Sequence, residues 1–283
     1  MIPVLTQMQQ DAKLLKPMAR RVAEYEALLA DEAANLHLLE KSLPPIQKLV
    51  AALSEGDGKL KLQEWVSGQD ARIRTLKDEF RYRFGSDLKS ALGTHGLALE
   101  GQFPLLRVGC YTIRADFDTG RARISWGTEV ETIRSRIPLS AEEIAKAVAT
   151  FDAQLKKREF QARSFTALLR TAWERARQSP GRAPAERVLL TEAMTEMALL
   201  TQPRAFAVNP VRENFRDYSR IQFGFDLYRL KHAPEEDRGG SRLRLFVATF
   251  DSTTAKAKSL WVPDSETGSG TWYSYLSFEE QPA

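Results

Sequence analysis

A heptad stripe of apolar residues near the N-terminus constrains the fold of this chain more than any other feature of its sequence. Apolar residues recur at spacings of three and four over residues 4–43, and only Asp11 and Glu32 interrupt the series. Such a repeat is typical of a helix that packs lengthwise against another helix. We therefore predict one long helix over about residues 6–42, ended by Pro44–Pro45. The stripe consists of Val4, Met8, Leu15, Met18, Val22, Tyr25, Leu29, Leu36, Leu39 and Leu43.

A second helical segment follows the stripe. Residues 46–53 read as a short helix, and residues 60–84 carry apolar side chains at helical spacing, with Gly85 suited to the position after a helix end. Residues 1–93 are therefore predicted to form a helical arm or hairpin. Heptads do not distinguish a helix of the same chain from a helix of a partner or of a second copy, so these packings stay open. The predicted partner-binding residues are Val22, Tyr25, Leu29, Leu36 and Leu39.

The apolar pattern changes to a period of two after residue 94. The segment LRVGCYTIRADF alternates as a strand does, Asp118-Thr-Gly120 is typical of a hairpin turn, and RARISWG reads as the return strand. Residues 94–138 are therefore predicted to form a small β-hairpin module.

A long connecting helix with a basic face is predicted next. Ser140 and Glu143 have the spacing of a capping box, and apolar residues continue at helical spacing to about Gln178. A proline-rich stretch interrupts the pattern, and a further helix follows over about residues 185–200. Residues 139–202 are therefore predicted to be a helical segment.

The last part of the chain is predicted to be an antiparallel sheet. Residues 221–227 alternate between apolar and polar side chains, and three further strands are expected between residues 242 and 278. Residues 203–283 would then form a β meander. The predicted fold class is α+β, with long coiled-coil-like N-terminal helices, a small β-hairpin module, a long connecting helix and a C-terminal antiparallel β-sheet.

Positive charge is concentrated in one part of the chain. The formal net charge is only +4, but nine basic and three acidic residues lie between Lys156 and Arg187. Such a stripe can attract phosphate backbones, although a solvated helix face or a surface for an acidic protein has the same composition. The candidate nucleic-acid-binding residues are Arg163, Arg170, Arg175, Arg177 and Arg182.

The sequence offers little material for catalysis. It contains no P-loop, dinucleotide-binding, zinc-protease or serine-hydrolase motif. Its single cysteine, Cys110, excludes zinc sites that need two or more cysteines. Carboxylates gather around the first hairpin, but arginines surround them, so a salt-bridged hairpin is favoured over a metal site. No catalytic residue, metal or cofactor is therefore predicted. The carboxylates are Asp116, Asp118, Glu129 and Glu131.

These patterns predict a non-enzymatic accessory or adaptor subunit that docks through long helices onto a larger bacterial-type assembly. The assembly would handle DNA or RNA, as in genome maintenance or anti-phage defence. The alternatives are a metal-dependent nuclease or phosphotransfer enzyme using the hairpin carboxylates, and a stand-alone nucleic-acid-binding protein. No apolar run approaches the ~20 residues of a membrane span, and the N-terminus lacks a signal-peptide pattern, so a cytoplasmic location without membrane contact is predicted.

Overall fold

The protein is an α+β protein, as the sequence predicts. The computed structural model describes residues 3–178, 186–239 and 242–279 of the 283-residue chain. Helices alternate with two separate sheets, a five-stranded one and a four-stranded one, along that part of the chain. No helix within the described ranges is both long enough and apolar enough to cross a membrane.

The residues group into two compact units, and each unit is built from three separate stretches of the chain. Unit 1 consists of Met1–Gly96, Arg114–Arg123 and Ser135–Lys146. Unit 2 consists of Leu97–Ile113, Ile124–Arg134 and Ala147–Ala283.

The predicted first helix is two helices rather than one. Helix α1 spans Pro3–Leu28, a 3₁₀ turn occupies Leu29–Asp31, and α2 spans Glu32–Ala51. The chain turns there because the Asp31 side chain accepts a hydrogen bond from the backbone N–H of Ala34, which starts a new helix. Since α2 packs back on α1, the prediction of a single helix over residues 6–42 is wrong.

The Pro44–Pro45 pair does not end a helix. Helix α2 continues through both prolines to Ala51 and absorbs the short helix expected at residues 46–53. An internal proline costs about 3 kcal/mol of helix stability. Here the neighbouring side chains of Leu43 and Ile46 are buried, and the free energy of that burial offsets the cost.

Helix α3, Asp57–Gly93, completes the core of unit 1. It continues through Gly85, so the predicted helix end at residue 84 is wrong. Tyr25 of α1 packs edge-on against Trp65 of α3 at 5.5 Å between ring centroids. Both interruptions of the heptad stripe make polar contacts within this bundle. Asp11 accepts a hydrogen bond from the Ser54 N–H at 3.2 Å, and Glu32 pairs with Arg72. The buried apolar side chains are Met18, Tyr25, Leu36, Leu39, Leu43, Ile46, Val50, Leu53, Val66 and Ile73.

The first sheet is a five-stranded meander whose strands neighbour one another in sequence order. Its third and fourth strands form the predicted hairpin around Asp118–Gly120. The segment LRVGCYTIRADF, predicted as one strand, is divided by a turn at Gly109 and Cys110 into two. The sequence misses the fifth strand because its burial pattern is mostly exposed. The strands are β1 (Glu100–Gln102), β2 (Leu105–Val108), β3 (Tyr111–Asp116), β4 (Arg121–Trp126) and β5 (Glu131–Pro138).

The long connecting helix is also two helices. Helix α4 spans Ala141–Lys156 and α5 spans Ala162–Arg177. The Arg229 guanidinium donates hydrogen bonds to the carbonyls of Lys156 and Arg158, so a side chain replaces the intrahelical partners that those carbonyls would otherwise need. The prediction of one helix to Gln178 is therefore wrong.

Residues 221–227 are helical, which corrects the prediction of a strand. They belong to α8, Arg220–His232, which begins with a capping box formed by Ser219 and Gln222. The alternation misleads because this helix is buried on nearly every side, so polar and glycine positions are enclosed as well as apolar ones. Two helices precede it, α6 (Leu190–Leu200) and α7 (Arg204–Val208).

The C-terminal sheet has β9 at its centre. Strand β9 pairs antiparallel with β6, β7 and β8, and the resulting sheet shares one apolar core with α5, α6 and α8. The strands are β6 (Val188–Leu189), β7 (Leu243–Val247), β8 (Leu260–Pro263) and β9 (Gly270–Phe278), and the short helix α9 (Phe250–Thr253) lies between β7 and β8.

Candidate interaction sites

The first part of α1 leaves the start of the heptad stripe exposed. Val4 and Met8 have relative exposures of 66% and 65%, and Leu15 is also an exposed large apolar residue. Further along the same helix, Met18 and Tyr25 are buried in the core of unit 1. One continuous stripe therefore divides into a buried segment and an exposed segment, and we call Val4, Met8 and Leu15 the exposed stripe.

The five predicted partner-binding residues all pack within unit 1. Tyr25, Leu36 and Leu39 are buried, and Val22 and Leu29 are partly buried against the same core. Three of the five therefore have almost no surface to present in this structure. The sequence did not separate them from the exposed stripe because both segments carry the same heptad pattern.

The candidate nucleic-acid-binding arginines fall on two sides of α5. Arg163, Arg170 and Arg177 recur every seven residues and share one line along the helix, which we call the basic face. Arg175 lies on another exposed side of α5, and Arg182 falls outside the described residues.

Each arginine of the basic face also makes a contact within the protein. Arg163 donates to the Glu236 carbonyl at 3.3 Å, and Arg170 pairs with Glu174 at 3.4 Å. The Arg177 guanidinium lies 4.6 Å from the ring centroid of Trp173. All three guanidiniums therefore already have partners within the protein.

The hairpin carboxylates make separate structural contacts. Asp116 accepts hydrogen bonds within the turn, and those from the Thr119 hydroxyl and the Thr119 and Asp118 backbone hold its pKa below the usual value. Glu131 pairs with Arg220 at 2.7 Å and with Lys256 at 2.8 Å. Within the described ranges, no three histidine, cysteine or acidic side chains are grouped to hold a metal ion.

Cys110 is a poor nucleophile in this setting. Burial raises the pKa of its thiol to about 11, so the reactive thiolate is scarce at neutral pH. Its sulfur lies 3.5 Å from the Ser265 carbonyl oxygen. The thiol is half-buried and donates to that carbonyl, which gives it a structural contact and no activating partner among the contacts described.

Unit 2 contains a cavity of about 700 Å³ beside the start of α5. Its wall combines three guanidiniums with aromatic rings and one carboxylate, so charged groups and apolar surface face the same space. We call it the arginine cavity, and its principal lining residues are Arg158, Phe160, Arg163, Tyr228, Arg229, His232 and Asp237.

Arg158 is held in the cavity wall by a buried carboxylate. Its two terminal nitrogens donate to Asp226 Oδ1 and Oδ2 at 3.2 and 2.9 Å, and the Tyr218 hydroxyl donates to Asp226 at 2.8 Å. Asp226 is only 4% exposed. Burial raises the pKa of Asp226 above its usual value, and the positive charge of Arg158 opposes that rise. The pair fixes the guanidinium in one orientation.

Arg229 is anchored just as firmly by neutral groups. Its guanidinium donates to the Arg158 and Lys156 carbonyls at 2.8 and 2.7 Å and lies 4.6 Å from the Phe225 ring centroid. Burial lowers the pKa of Arg229, and the nearby charge of Arg158 adds to that effect while Asp226 opposes it. The cavity therefore keeps two guanidiniums close together.

The sequence does not reveal this cavity, because the alternation of residues 221–227 predicts a strand. In a helix, Phe225, Tyr228, Arg229 and His232 have spacings of three, four and seven residues and share one face. The signal that could have revealed them is the capping box at Ser219 and Gln222, which marks a helix start immediately before this segment.

Comparisons with protein-family models, with curated proteins and with solved structures found no match to this chain.

Proposed function

We propose that this protein is a non-enzymatic, cytoplasmic accessory subunit that docks onto an amphipathic helix of a larger assembly. The observation that supports this proposal is the exposed stripe, because Val4, Met8 and Leu15 continue a heptad pattern whose later members are buried. Exposed apolar side chains in heptad register are what a partner helix needs for lengthwise packing.

The charges beside the exposed stripe favour an acidic partner. Lys13, Lys16, Arg20 and Arg21 lie in this part of α1, against the single acidic residue Asp11. Complementary charge speeds encounter and fixes the register of two helices more than it raises affinity. The partner is therefore expected to be a helix with an apolar stripe flanked by glutamate or aspartate.

The exposed stripe supplies part of the free energy that docking needs. Burying three aliphatic side chains contributes roughly 5–9 kcal/mol, at ~1.5–3 kcal/mol each. Association costs about 4–15 kcal/mol in lost freedom of motion. A partner helix that is already ordered before binding avoids the additional cost of ordering its own backbone and side chains.

Exchanging two residues of the exposed stripe for glutamate tests the docking proposal. We expect Met8→Glu/Leu15→Glu to lose a partner that copurifies with the C-terminally tagged protein from its native host. The free energy of thermal unfolding should stay within ~0.5 kcal/mol of the parent's value, because both side chains are already exposed. In the parent complex, Lys13 and Lys16 should form chemical crosslinks to the partner, and these should disappear in the variant.

A matched control places the same charge on apolar residues elsewhere. Val208 and Phe250 are also highly exposed, so Val208→Glu/Phe250→Glu should retain the partner and the crosslinks. Retention of the partner by the Met8→Glu/Leu15→Glu variant would contradict the proposal. So would a purely homodimeric protein whose self-association depends on the same two residues.

Nucleic-acid contact along the basic face is a second candidate function. The observation that favours it is the alignment of Arg163, Arg170 and Arg177 on one line of α5. An assembly for genome maintenance or anti-phage defence would fit such a surface. The enzyme alternative receives no comparable support, because Asp116 accepts from turn backbone N–H groups and Glu131 pairs with Arg220 and Lys256.

Salt dependence tests the basic face. If each arginine contacts one phosphate, Arg170→Gln/Arg177→Gln should lower the slope of log K against log salt by about 1.8 on duplex DNA, at ~0.9 per contact. Arg20→Gln/Arg21→Gln, on α1, should leave the slope unchanged. Filter binding or fluorescence anisotropy across a salt series measures the slope, and equal slopes for all three proteins would contradict the prediction.

A further inference from the structure

We propose that the arginine cavity binds a nucleoside phosphate, with the guanidiniums holding the phosphate and the aromatic wall packing against the base. The proposal uses only residues of unit 2 and does not depend on docking through α1. The cavity volume of about 700 Å³ suits a ligand of mononucleotide size.

The arginines are positioned to receive an anion before it arrives. Arg158 uses two of its five N–H donors on Asp226, and Arg229 gives two hydrogen bonds to main-chain carbonyls. Donors therefore remain on guanidiniums whose side chains are already ordered. An oxyanion gains charge-assisted hydrogen bonds there at little further cost in side-chain freedom.

The balance of charge in the wall also favours an anion. Arg158, Arg163 and Arg229 supply three positive charges to the wall and Asp237 supplies one negative charge. Asp226 does not line the cavity, but it pairs with Arg158 and adds a second negative charge nearby. Asp226 is buried behind Arg158, so the charge facing the cavity is more positive than the sum suggests. Repulsion between Arg158 and Arg229 would be relieved by a bound phosphate.

Aromatic groups supply the surface for a planar base. Tyr228 and His232 pack together with 4.4 Å between ring centroids, and Phe160 forms another part of the wall. Aromatic side chains stack on any base, and arginines beside them meet its phosphate. A cavity with both groups can therefore hold the two ends of one nucleotide.

The acidic edge of the cavity selects a small ligand over a polymer. Asp237 lines the cavity, and Glu235 and Glu236 are exposed in the same 3₁₀ turn. A continuing nucleic-acid strand would carry further phosphates past these carboxylates. Like-charge repulsion would oppose that path, while a free nucleotide avoids it.

Calorimetric titration of the full chain tests the proposal. The probes are the four common nucleoside 5′-monophosphates, the matching nucleosides and inorganic phosphate, each at up to about 1 mM. At least one monophosphate should bind to a single site. Its nucleoside and inorganic phosphate should each bind at least about tenfold more weakly, because each lacks one half of the contacts.

Three exposed side chains give matched variants with opposite expected effects. Arg163→Gln should weaken monophosphate binding about tenfold, because it removes a charged donor from the cavity. Asp237→Asn should tighten binding, because it removes a negative charge from the wall. Arg175→Gln, on another side of the same helix, should leave binding unchanged. All three residues are exposed, so folding is preserved.

Several results would overturn the proposal. One is that no monophosphate binds at about 1 mM. Another is that Arg163→Gln and Arg175→Gln weaken binding equally, which would indicate general attraction to a basic helix. A third is that a single-stranded oligonucleotide binds more tightly than every monophosphate and does not respond to Asp237→Asn, which would assign the anion to the basic face.

Discussion

Replacing Arg158 with methionine is expected to lower the free energy of unfolding of unit 2 by about 3–5 kcal/mol at pH 7. Methionine retains the aliphatic part of the side chain but leaves Asp226 as a carboxylate without its cation. That carboxylate is 4% exposed, and the Tyr218 hydroxyl would be its main remaining donor. A buried unpaired charge is among the most destabilising changes that one substitution can make.

The loss should depend on pH in a defined direction. Without Arg158, burial raises the pKa of Asp226 in the folded protein further above its unfolded value of 3.8. A carboxyl group with a raised folded pKa destabilises the protein fully above that pKa. The penalty declines as the pH falls toward the unfolded pKa and is absent below it. The difference between parent and variant should therefore shrink on acidification.

A double variant distinguishes the effect of the unpaired Asp226 carboxylate from the effect of packing lost with the Arg158 side chain. Arg158→Met/Asp226→Asn removes both charges, while the amide oxygen of the new asparagine side chain would still accept from the Tyr218 hydroxyl. This protein should be more stable at pH 7 than Arg158→Met alone, with little of its pH dependence. Hydrogen exchange of the α5 and α8 amides, measured across a urea titration, gives the free energy of unfolding of each variant. An Arg158→Met protein as stable as the parent at pH 7 would contradict the assignment of this pair.

The sequence predicts the elements that local interactions alone determine. The hairpin at Asp118–Gly120 follows from local turn chemistry, and the presence of α3, though not its end, follows from a helical period. Both depend on interactions within a short stretch of chain. The α+β class was predictable for the same reason, since the period of the apolar residues changes from segment to segment.

The sequence failed where distant residues decide the structure. The break between α4 and α5 involves carbonyls that bind Arg229, about 70 residues later in the chain. The continuation of α2 through Pro44–Pro45 depends on burial against α1 and α3. Such tertiary contacts override local propensity, and neither partner is marked in the sequence by spacing.

The arginine cavity was hidden for a related reason. Arg158, Arg163 and Arg229 come from a helix junction, a helix start and a third helix, and they meet only when α5 and α8 have packed together. The basic composition near Arg163 is visible in the sequence, but its partner Arg229 lies just beyond residues 221–227, whose alternation predicts a strand. Predicting a strand from this apolar alternation therefore hides the cavity residues that α8 contributes.

The largest effect in unit 1 is expected at Leu39, a predicted partner-binding residue that the structure places in the core. Leu39 is 1% exposed, whereas the adjacent Leu38 is 39% exposed. Leu39→Ala should lower the free energy of unfolding of unit 1 by about 2–5 kcal/mol in the isolated protein, through lost burial and the cavity left behind. Leu38→Ala should cost about 1 kcal/mol or less, because its side chain is partly solvated already.

The pair of leucines distinguishes intrachain packing from partner packing, the alternative that heptads leave open. The two positions share residue type, helix and local propensity, so the difference between them reports tertiary burial alone. Because a chain with two compact units need not unfold in one step, the loss is best measured by hydrogen exchange of the α1, α2 and α3 amides. If both variants lose little stability as purified proteins, Leu39 is not packed within the chain. In that case the stripe would be free for a partner along its whole length, rather than only at Val4, Met8 and Leu15.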